Sequence, residues 1–505
     1  MPTIGGTALL NARRVPDREA VVEGSQSWTW RELSRLIGVA AAALDDLGLR
    51  RGHRMALLAA NSVEFIVASH AASRVGGIVV PINTRLAVPE IVHIVSDSGA
   101  TALAFGVELA SVAEAVRVQV PAVLLAALGD GGDHPHLIGD DLTTSIDDDL
   151  AAEDDDAFIL YTSGTTGRPK GSLMDHHRAV WAAMAQIVSL GLRDGDRHLH
   201  LAPMYHSGGT TFLNATTMIG GTHVVAGRFE ASAVLPLVAQ HRIDWLFGVP
   251  TMYQQMLRCE ATTTPAIDSW RIGVYGGAPM PAPVIEQLVA RFPSVSFFQQ
   301  CGQTEAGPTG IYSTLDQIRS RPDSSGHVAQ PFMECKVLTE TGSECEPGGV
   351  GELVFRGPAL TKGYWNQPAA TAEAVRDGWL HTGDLVHVHD DGAMRLVDRM
   401  KDVIITGGRN VYSAEVEQAI ASHPDVLDVA VVGKPHPEWG ATVTAVVTLA
   451  ARSTATASDI EEHCRTLIAD YKIPRVIELG AVPRNSTGKV QKHVLRNVST
   501  ASTGH

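Results

Sequence analysis

A short apolar run, Ala157-Phe-Ile-Leu-Tyr161, opens directly into Thr162-Ser-Gly-Thr-Thr-Gly-Arg-Pro-Lys-Gly171. This constrains the fold. An apolar strand belongs in a buried sheet, and the glycines and hydroxyls that follow let backbone N–H groups turn together toward a polyphosphate. The cradle is expected from Thr162, Ser163, Gly164, Thr165, Thr166, Gly167 and Lys170. The Walker pattern G-x-x-x-x-G-K-[ST] is not met, because Lys170 stands three residues after Gly167 and is followed by Gly171, which disfavours a P-loop nucleoside triphosphatase.

Upstream of that segment, helical patterns such as WRELSRLIGVAAAALDDLG alternate with apolar runs such as RMALLAA and GGIVVPIN. The alternation reads as βα units on a largely parallel sheet. Nine of the seventeen residues from Asp140 to Asp156 are acidic, which reads as a solvated linker. A second α/β block follows, and near Val397-Asp-Arg-Met-Lys401 the texture changes to a smaller α+β unit. The expected fold is α/β: a large N-terminal domain over 1–398 built of layered α/β subdomains, a hinge at 399–401, and a small α+β lid over 402–505. In the lid, Ser458-Asp-Ile-Glu461 reads as a capping box opening a helix with Ile460, Cys464, Leu467 and Ile468 on one face. VLDVAVVG and ATVTAVVTL read as strands of the same unit.

Composition removes several classes. A net charge of -15 argues against a nucleic-acid partner, since phosphate backbones are met by clustered cations. The five cysteines lie far apart with no zinc spacing, which fits a reducing cytoplasm. No apolar run approaches the ~18 residues of a spanning helix, and Asn11, Arg13 and Arg14 interrupt the N-terminal apolar stretch. The chain is expected to be cytoplasmic, neither exported nor membrane-spanning. Lysine occurs eight times against 32 arginines, so a retained lysine suggests a site that needs a compact ammonium.

Seven further segments, read with the 162–171 signature, resemble the adenylate-forming superfamily of acyl-CoA synthetases, peptide-synthetase adenylation domains and luciferases. Pro203-Met-Tyr-His-Ser-Gly-Gly209 is similar to its substrate-side motif, Gly276-Gly-Ala-Pro279 to its adenine-side loop, and Gly302-Gln-Thr-Glu305 to its G-x-T-E. Gly363-Tyr-Trp-Asn-Gln-Pro368, Thr382-Gly-Asp384, Asp398-Arg-Met-Lys401 with Thr406-Gly-Gly-Arg-Asn410, and Asn485-Ser-Thr-Gly-Lys489 continue the series in order.

The resemblance implies an enzyme that activates a carboxylic acid with ATP and Mg2+ and passes the acyl group to coenzyme A, as fatty- and aryl-acid ligases do. A carboxylate is a poor electrophile, so a leaving group must first be attached, and charge gathering on the α-phosphate must be met by positioned donors. By resemblance, Thr304 contacts phosphate, Glu305 and Thr166 hold the metal, and Lys489 bridges the carboxylate and the α-phosphate. Gly276, Gly277, Ala278, Pro279, Gln299, Cys301 and Gly302 flank the base, and Asp384 and Arg399 hold the ribose. Lys401 is the pivot, and Gly407 and Gly408 wall the tunnel for a pantetheine arm. His206 gates the acyl pocket, whose walls also include Ser207, Gly208, Val249, Gly277, Cys301 and Gly302.

The chain departs from the pattern at Cys301, where the family carries an aromatic residue against adenine, which implies a weakened nucleotide KM. Two other readings stand beside the CoA ligase. One is an adenylating enzyme that serves a separate carrier protein or an amine or hydroxyl acceptor, and the other is a catalytically silent ligand-binding relative.

Overall fold

The computed structural model describes residues 3–130, 132, 134–139, 143–162, 169–259, 267–278, 280–484 and 490–497. They fall into two compact units, one of Met1–Cys335 with Val354–His381, the other of Lys336–Leu353 with Thr382–His505. Residues 399–401, expected as the hinge, lie within the second of these.

The first unit is built on two sheets. In the seven-stranded sheet, Arg54–Leu58, Ile78–Pro81, Ala102–Phe105, Leu124–Ala127 and Asp156–Thr162 run parallel. The helices Val63–Arg74, Val88–Ser98 and Ala110–Gln119 connect strands of this sheet, as the alternating pattern predicts. Lys170–Asp175 and Gly363–Tyr364 then add antiparallel at one edge. Strands such as Ile78–Pro81 and Ala102–Phe105 are buried at every position, the continuous apolar run of a sheet covered on both faces.

The nine-stranded sheet has Glu19–Glu23, Thr222–Val225, Arg197–His200, Trp245–Gly248, Ile272–Gly276 and Ser296–Gly302 as adjacent parallel strands. Ligands of such sheets bind beyond the carboxyl ends of the strands. Here those ends lead into Ala202–His206, Val249, Gly277 and Gln303–Glu305. Asn61, just past a strand of the first sheet, ties the two sheets together there. Its buried side chain donates to the Ala202 carbonyl at 2.9 Å and accepts from the Met204 N–H at 2.7 Å.

The acidic stretch, expected as a solvated linker, leaves Asp147, Asp148 and Asp154 exposed, yet it does not run free. At its described residues it is strapped to the first unit. Asp149 accepts from the Thr3 hydroxyl, Asp155 takes Arg51 at 2.6 Å, and the buried Arg74 donates to the Ile146 carbonyl at 3.2 Å. Its carboxylates face cations and hydroxyls that charge counting along the chain does not reveal.

In the second unit, the strands Val426–His436 and Gly440–Leu449 form a long antiparallel pair flanked by Ile404–Thr406 and, in parallel, Val476–Leu479. Helices Ser413–Ala421 and Ala457–Arg465 pack Val416, Ile420, Ile460 and Cys464 into its core. The second helix starts two residues earlier than its sequence pattern indicates. Thr456 and Asp459 make the reciprocal cap in place of Ser458 and Glu461, and the helix ends at Arg465, which leaves Leu467 beyond it and exposed. Both pairs satisfy the spacing rule, and Thr456 is the residue whose backbone is extended.

The parallel pairing of Arg197–His200 with Thr222–Val225 buries His198, His200 and His223 completely, near His70 of the helix Val63–Arg74. Burial holds the first three well below the ordinary histidine range and lowers His70 to about 4. Each is therefore neutral in the folded chain but takes a proton near pH 6.5 once unfolded. Stability is flat above about pH 6.5 and falls below it, by up to about 1.4 kcal/mol per pH unit for each such histidine. Denaturant midpoints at pH 7.5 and 5.5 are expected to differ accordingly. Equal midpoints would contradict neutral burial, since ordinary carboxylates do not titrate in that interval.

Candidate functional site

The functional groups of the first unit converge on one buried carboxylate. Glu305 lies in the single turn Thr304–Ala306 after the strand Ser296–Gly302, with only 8 % of its surface exposed. Its Oε1 accepts from the Tyr364 hydroxyl at 2.8 Å and, more weakly, from the Thr162 hydroxyl at 3.4 Å. Its carbonyl accepts from the Thr361 N–H at 2.8 Å. Tyr364 is delivered by register: Gly363–Tyr364 pairs antiparallel with Ser172 and Leu173. Burial first, and Glu305 second, push the Tyr364 phenol above its usual range, so it stays protonated and donates.

Thr162 and Lys170 are direct partners across the antiparallel pair Asp156–Thr162 and Lys170–Asp175. The Lys170 ammonium sits over the Tyr364 ring, 5.0 Å from its centre. On the other side of Glu305, the Thr304 hydroxyl meets the Ser207 hydroxyl at 2.9 Å. Thr162, Lys170, Ser207, Thr304, Glu305 and Tyr364 thus form one contiguous cluster of hydroxyls, an ammonium and a carboxylate.

Ser207 opens the helix Ser207–Met218, with His206 at the cap position, half-buried and edge-on to Tyr205 with ring centres 4.8 Å apart. Gly209 is required there, because a Cβ would stand 2.0 Å from the Pro203 carbonyl oxygen. Gly208 leaves open the space in front of Phe247, whose ring is 3.8 Å from where a Cβ would sit. At the neighbouring strand end, a Cβ on Gly276 would meet the Gln300 carbonyl at 2.6 Å, and Gly277 takes a φ of +79°, with Val249 3.9 Å from its missing Cβ. Gly302 is pressed against the Thr309 carbonyl, 2.2 Å from a built Cβ, and Cys301 beside it is half-buried opposite Ile311.

A divalent cation fits this site in one particular way. Among the described residues, no group of three or more His, Cys, Asp or Glu is placed to hold a metal, and Glu305 Oε2 carries no protein hydrogen bond. One carboxylate oxygen, with phosphate and water completing the shell, is the ligand set that Mg2+ accepts.

Comparison with known proteins gives the family. The profile of the AMP-binding enzyme family matches residues 10–365, and that of the AMP-binding enzyme C-terminal domain matches residues 415–489. The chain belongs to the AMP-binding enzyme family. Among its relatives, a feruloyl-CoA synthase of Amycolatopsis is 36 % identical over 98 % of both chains. A long-chain-fatty-acid–CoA ligase of Mycobacterium tuberculosis is 35 % identical over 99 % of both. The solved o-succinylbenzoate CoA synthetase of Bacillus subtilis, bound to its acyl-adenylate, superposes with a TM-score of 0.88 at 29 % identity over 98 % of each chain.

Within this AMP-binding enzyme, Asp384, Arg399, Lys401, Gly407 and Gly408 belong to the second unit. Asp384 and Arg399 are partners in register on antiparallel strands, with Nε and Oδ1 3.1 Å apart. The residues flanking 399–401 are pinned. Asp398 accepts from the Ser413 hydroxyl at 2.8 Å, and Asp402 from Arg496 at 2.5 Å. Gly407 and Gly408 form a two-residue hairpin turn with φ of +55° and +75°, exposed, with nothing within 4 Å of a built Cβ. Ser163, Gly164, Thr165, Thr166, Gly167, Pro279 and Lys489 lie outside the described residues.

Gln299, expected beside the base, donates its amide to the Ser324 carbonyl at 2.8 Å and accepts from the Tyr275 hydroxyl at 3.5 Å, and the residue is 7 % exposed. It braces the strand end. Tyr364 is the functional residue that motif reading passes over. The GYW segment is visible, but only strand register shows that its tyrosine reaches Glu305.

Tyr364→Phe removes a hydrogen bond to a buried carboxylate, worth roughly a tenfold to hundredfold loss in kcat/KM for pyrophosphate release. The half-saturating Mg2+ concentration is expected to rise with it. An unchanged Mg2+ titration would separate Tyr364 from the carboxylate's function.

Proposed function

We propose that the chain is an AMP-forming carboxylic acid:CoA ligase acting on a fatty or aryl acid. The observation that carries this is the cluster in which one buried carboxylate, Glu305, is set between the hydroxyls of Thr162 and Tyr364 and adjoins the Ser207–Thr304 pair. Hydroxyls and an ammonium gathered around a carboxylate with one oxygen that has no hydrogen bond among the described residues suit a polyphosphate and its counter-ion, and Ser207 is also one of the expected acyl-pocket residues.

In the first half-reaction, the acid's carboxylate oxygen attacks the α-phosphorus of ATP, the bond to the bridging oxygen breaks, and pyrophosphate leaves. Thr162, Thr304 and Lys170 offer donors for the phosphate oxygens, with charge meeting fixed partners rather than reorganising water. Glu305 is the residue that would hold Mg2+, which supplies charge neutralisation at the phosphates. In the second half-reaction, the thiol of CoA attacks the acyl carbonyl, and AMP departs as the thioester forms. Lys489 serves the first step, Asp384 and Arg399 hold the ribose, and Gly407 and Gly408 admit the pantetheine arm. Lys401 provides the pivot between pinned neighbours. The relatives' names, a feruloyl-CoA synthase and a long-chain-fatty-acid–CoA ligase, support CoA as acceptor and span both acid classes. A cytoplasmic location belongs to the same proposal, and among the described residues no helix is long and apolar enough to cross a membrane.

Pyrophosphate release from ATP and Mg2+ over a panel of fatty and aryl acids, with and without CoA, tests the proposal. Multiple turnover only with CoA, and an acyl-CoA identified by mass, is the expected result. Adenylate formation indifferent to CoA would instead favour a carrier protein or an amine or hydroxyl acceptor. Lys489→Ala is expected to abolish adenylation while leaving thioester formation from supplied acyl-adenylate largely intact. Equal loss in both steps would refute the assignment.

A further inference from the structure

Between the start of the helix Ser207–Met218 and the strand Arg197–His200 lies a small cavity of about 10 Å³, lined by His198, His200, Ala202, Gly209, Phe212 and Phe247. That is room for about one water-sized group. Its lining starts on the helix whose first residue, Ser207, touches Thr304. Gly209 and Phe212, which line the cavity, follow Ser207 by two and five residues, about 3 and 7.5 Å at helical rise, so the cavity begins within about one aromatic ring's length of Ser207 along that helix. Its floor is stiff: His198 stacks on Trp245 with ring centres 3.6 Å apart, and Phe212 packs on Phe247 at 4.9 Å.

The hydrogen bonds around the histidines assign their protons. The Thr216 hydroxyl donates to the Phe212 carbonyl at 2.8 Å, so at its 3.1 Å contact with His198 Nδ1 it must accept. His198 therefore carries its proton on Nδ1 and leaves Nε2 bare. The Thr217 hydroxyl donates to the Leu213 carbonyl at 3.1 Å, so His223 Nε2 donates to it at 3.2 Å and His223 Nδ1 is an acceptor. His200 Nε2 must then donate to that atom, 3.0 Å away, which leaves His200 Nδ1 bare. Both histidines that line the cavity thus keep one nitrogen that accepts and has no partner among the described residues. Burial keeps both rings neutral.

We infer that this cavity is the far end of the acyl site and that it selects carboxylic acids about one aromatic ring long that carry a hydroxyl or amino group there, donated to His198 Nε2 or His200 Nδ1. The inference rests on the CoA-ligase reading and narrows it from fatty or aryl acids to hydroxy- or amino-aryl acids. An ether oxygen or a methyl end would face two acceptors with nothing to give, the mismatch that polar sites reject most strongly. An unbranched chain would have to displace Phe212 and Phe247.

The test is CoA-dependent turnover with benzoate and its para-hydroxy, para-amino and para-methoxy derivatives, with decanoate alongside. The hydroxy and amino acids are expected to exceed benzoate in kcat/KM by about tenfold or more, with methoxybenzoate and decanoate below it. In His198→Leu with His200→Leu, the hydroxy-to-benzoate ratio should fall to about one. His198→Gln with His200→Asn, which restores oxygen acceptors near the bare nitrogens, should recover it. Should the leucine variant not fold, the wild-type order of hydroxy over methoxy acids decides alone. Acyl-CoA formed with methoxybenzoate or decanoate preferred would overturn this inference and leave the ligase standing. No acyl-CoA from any acid would count against the ligase itself.

Discussion

Everything around the reaction centre depends on giving one buried carboxylate its hydrogen-bond partners. A carboxylate removed from water without donors is costly. Glu305 has them because Tyr364 arrives on a two-residue strand and Thr162 at the end of a seven-residue one. Both strands belong to the seven-stranded sheet, whereas Glu305 follows a strand of the nine-stranded one. The junction of the two sheets and the charge of the site are thus one problem, and Asn61 solves the geometric half by bonding across the strand ends.

Much of this was legible before any coordinates. The strand-and-turn signature at 157–171, the alternation of helices and strands, and the order of the motifs all report short-range chemistry, which sequence records directly. Failures came where partners are distant in the chain. Asp149 finds Thr3, and Asp155 finds Arg51, so an acidic stretch that looks like solvent-facing linker becomes a strap. Gln299 turns its amide to Ser324 and Tyr275, partners some 25 residues away that its place beside the G-x-T-E segment does not reveal. His198 and His200 look unremarkable as H-x-H on a strand, and only the neighbouring hydroxyls make their protonation definite.

The second unit follows a different economy. Its core is ordinary, a helix-covered antiparallel pair, and the residues to which a role is proposed sit at turns: Asp384 after the Gly383 turn, Gly407 and Gly408 on an open hairpin. Between them, Asp398 and Asp402 are fixed to Ser413 and Arg496, and Arg399–Lys401 is the short stretch left between the two anchors. Strong anchoring on both sides confines any torsional change to few residues, which favours a defined rotation over a diffuse bend.

The helix that begins at Ser207 has one further consequence. Its cap residue, His206, makes no side-chain bond to the first turn, and twelve residues of aligned peptides stand behind it. Such an end behaves as a partial positive charge, worth about 0.3–1 kcal/mol to a neighbouring anion. In the proposed reaction, an acid whose carboxylate lay at this end would profit from it before activation. In the acyl-adenylate the carboxylate's own charge is gone and one negative charge remains on the phosphate, so the attraction would pass from the acyl end of the intermediate to its phosphate.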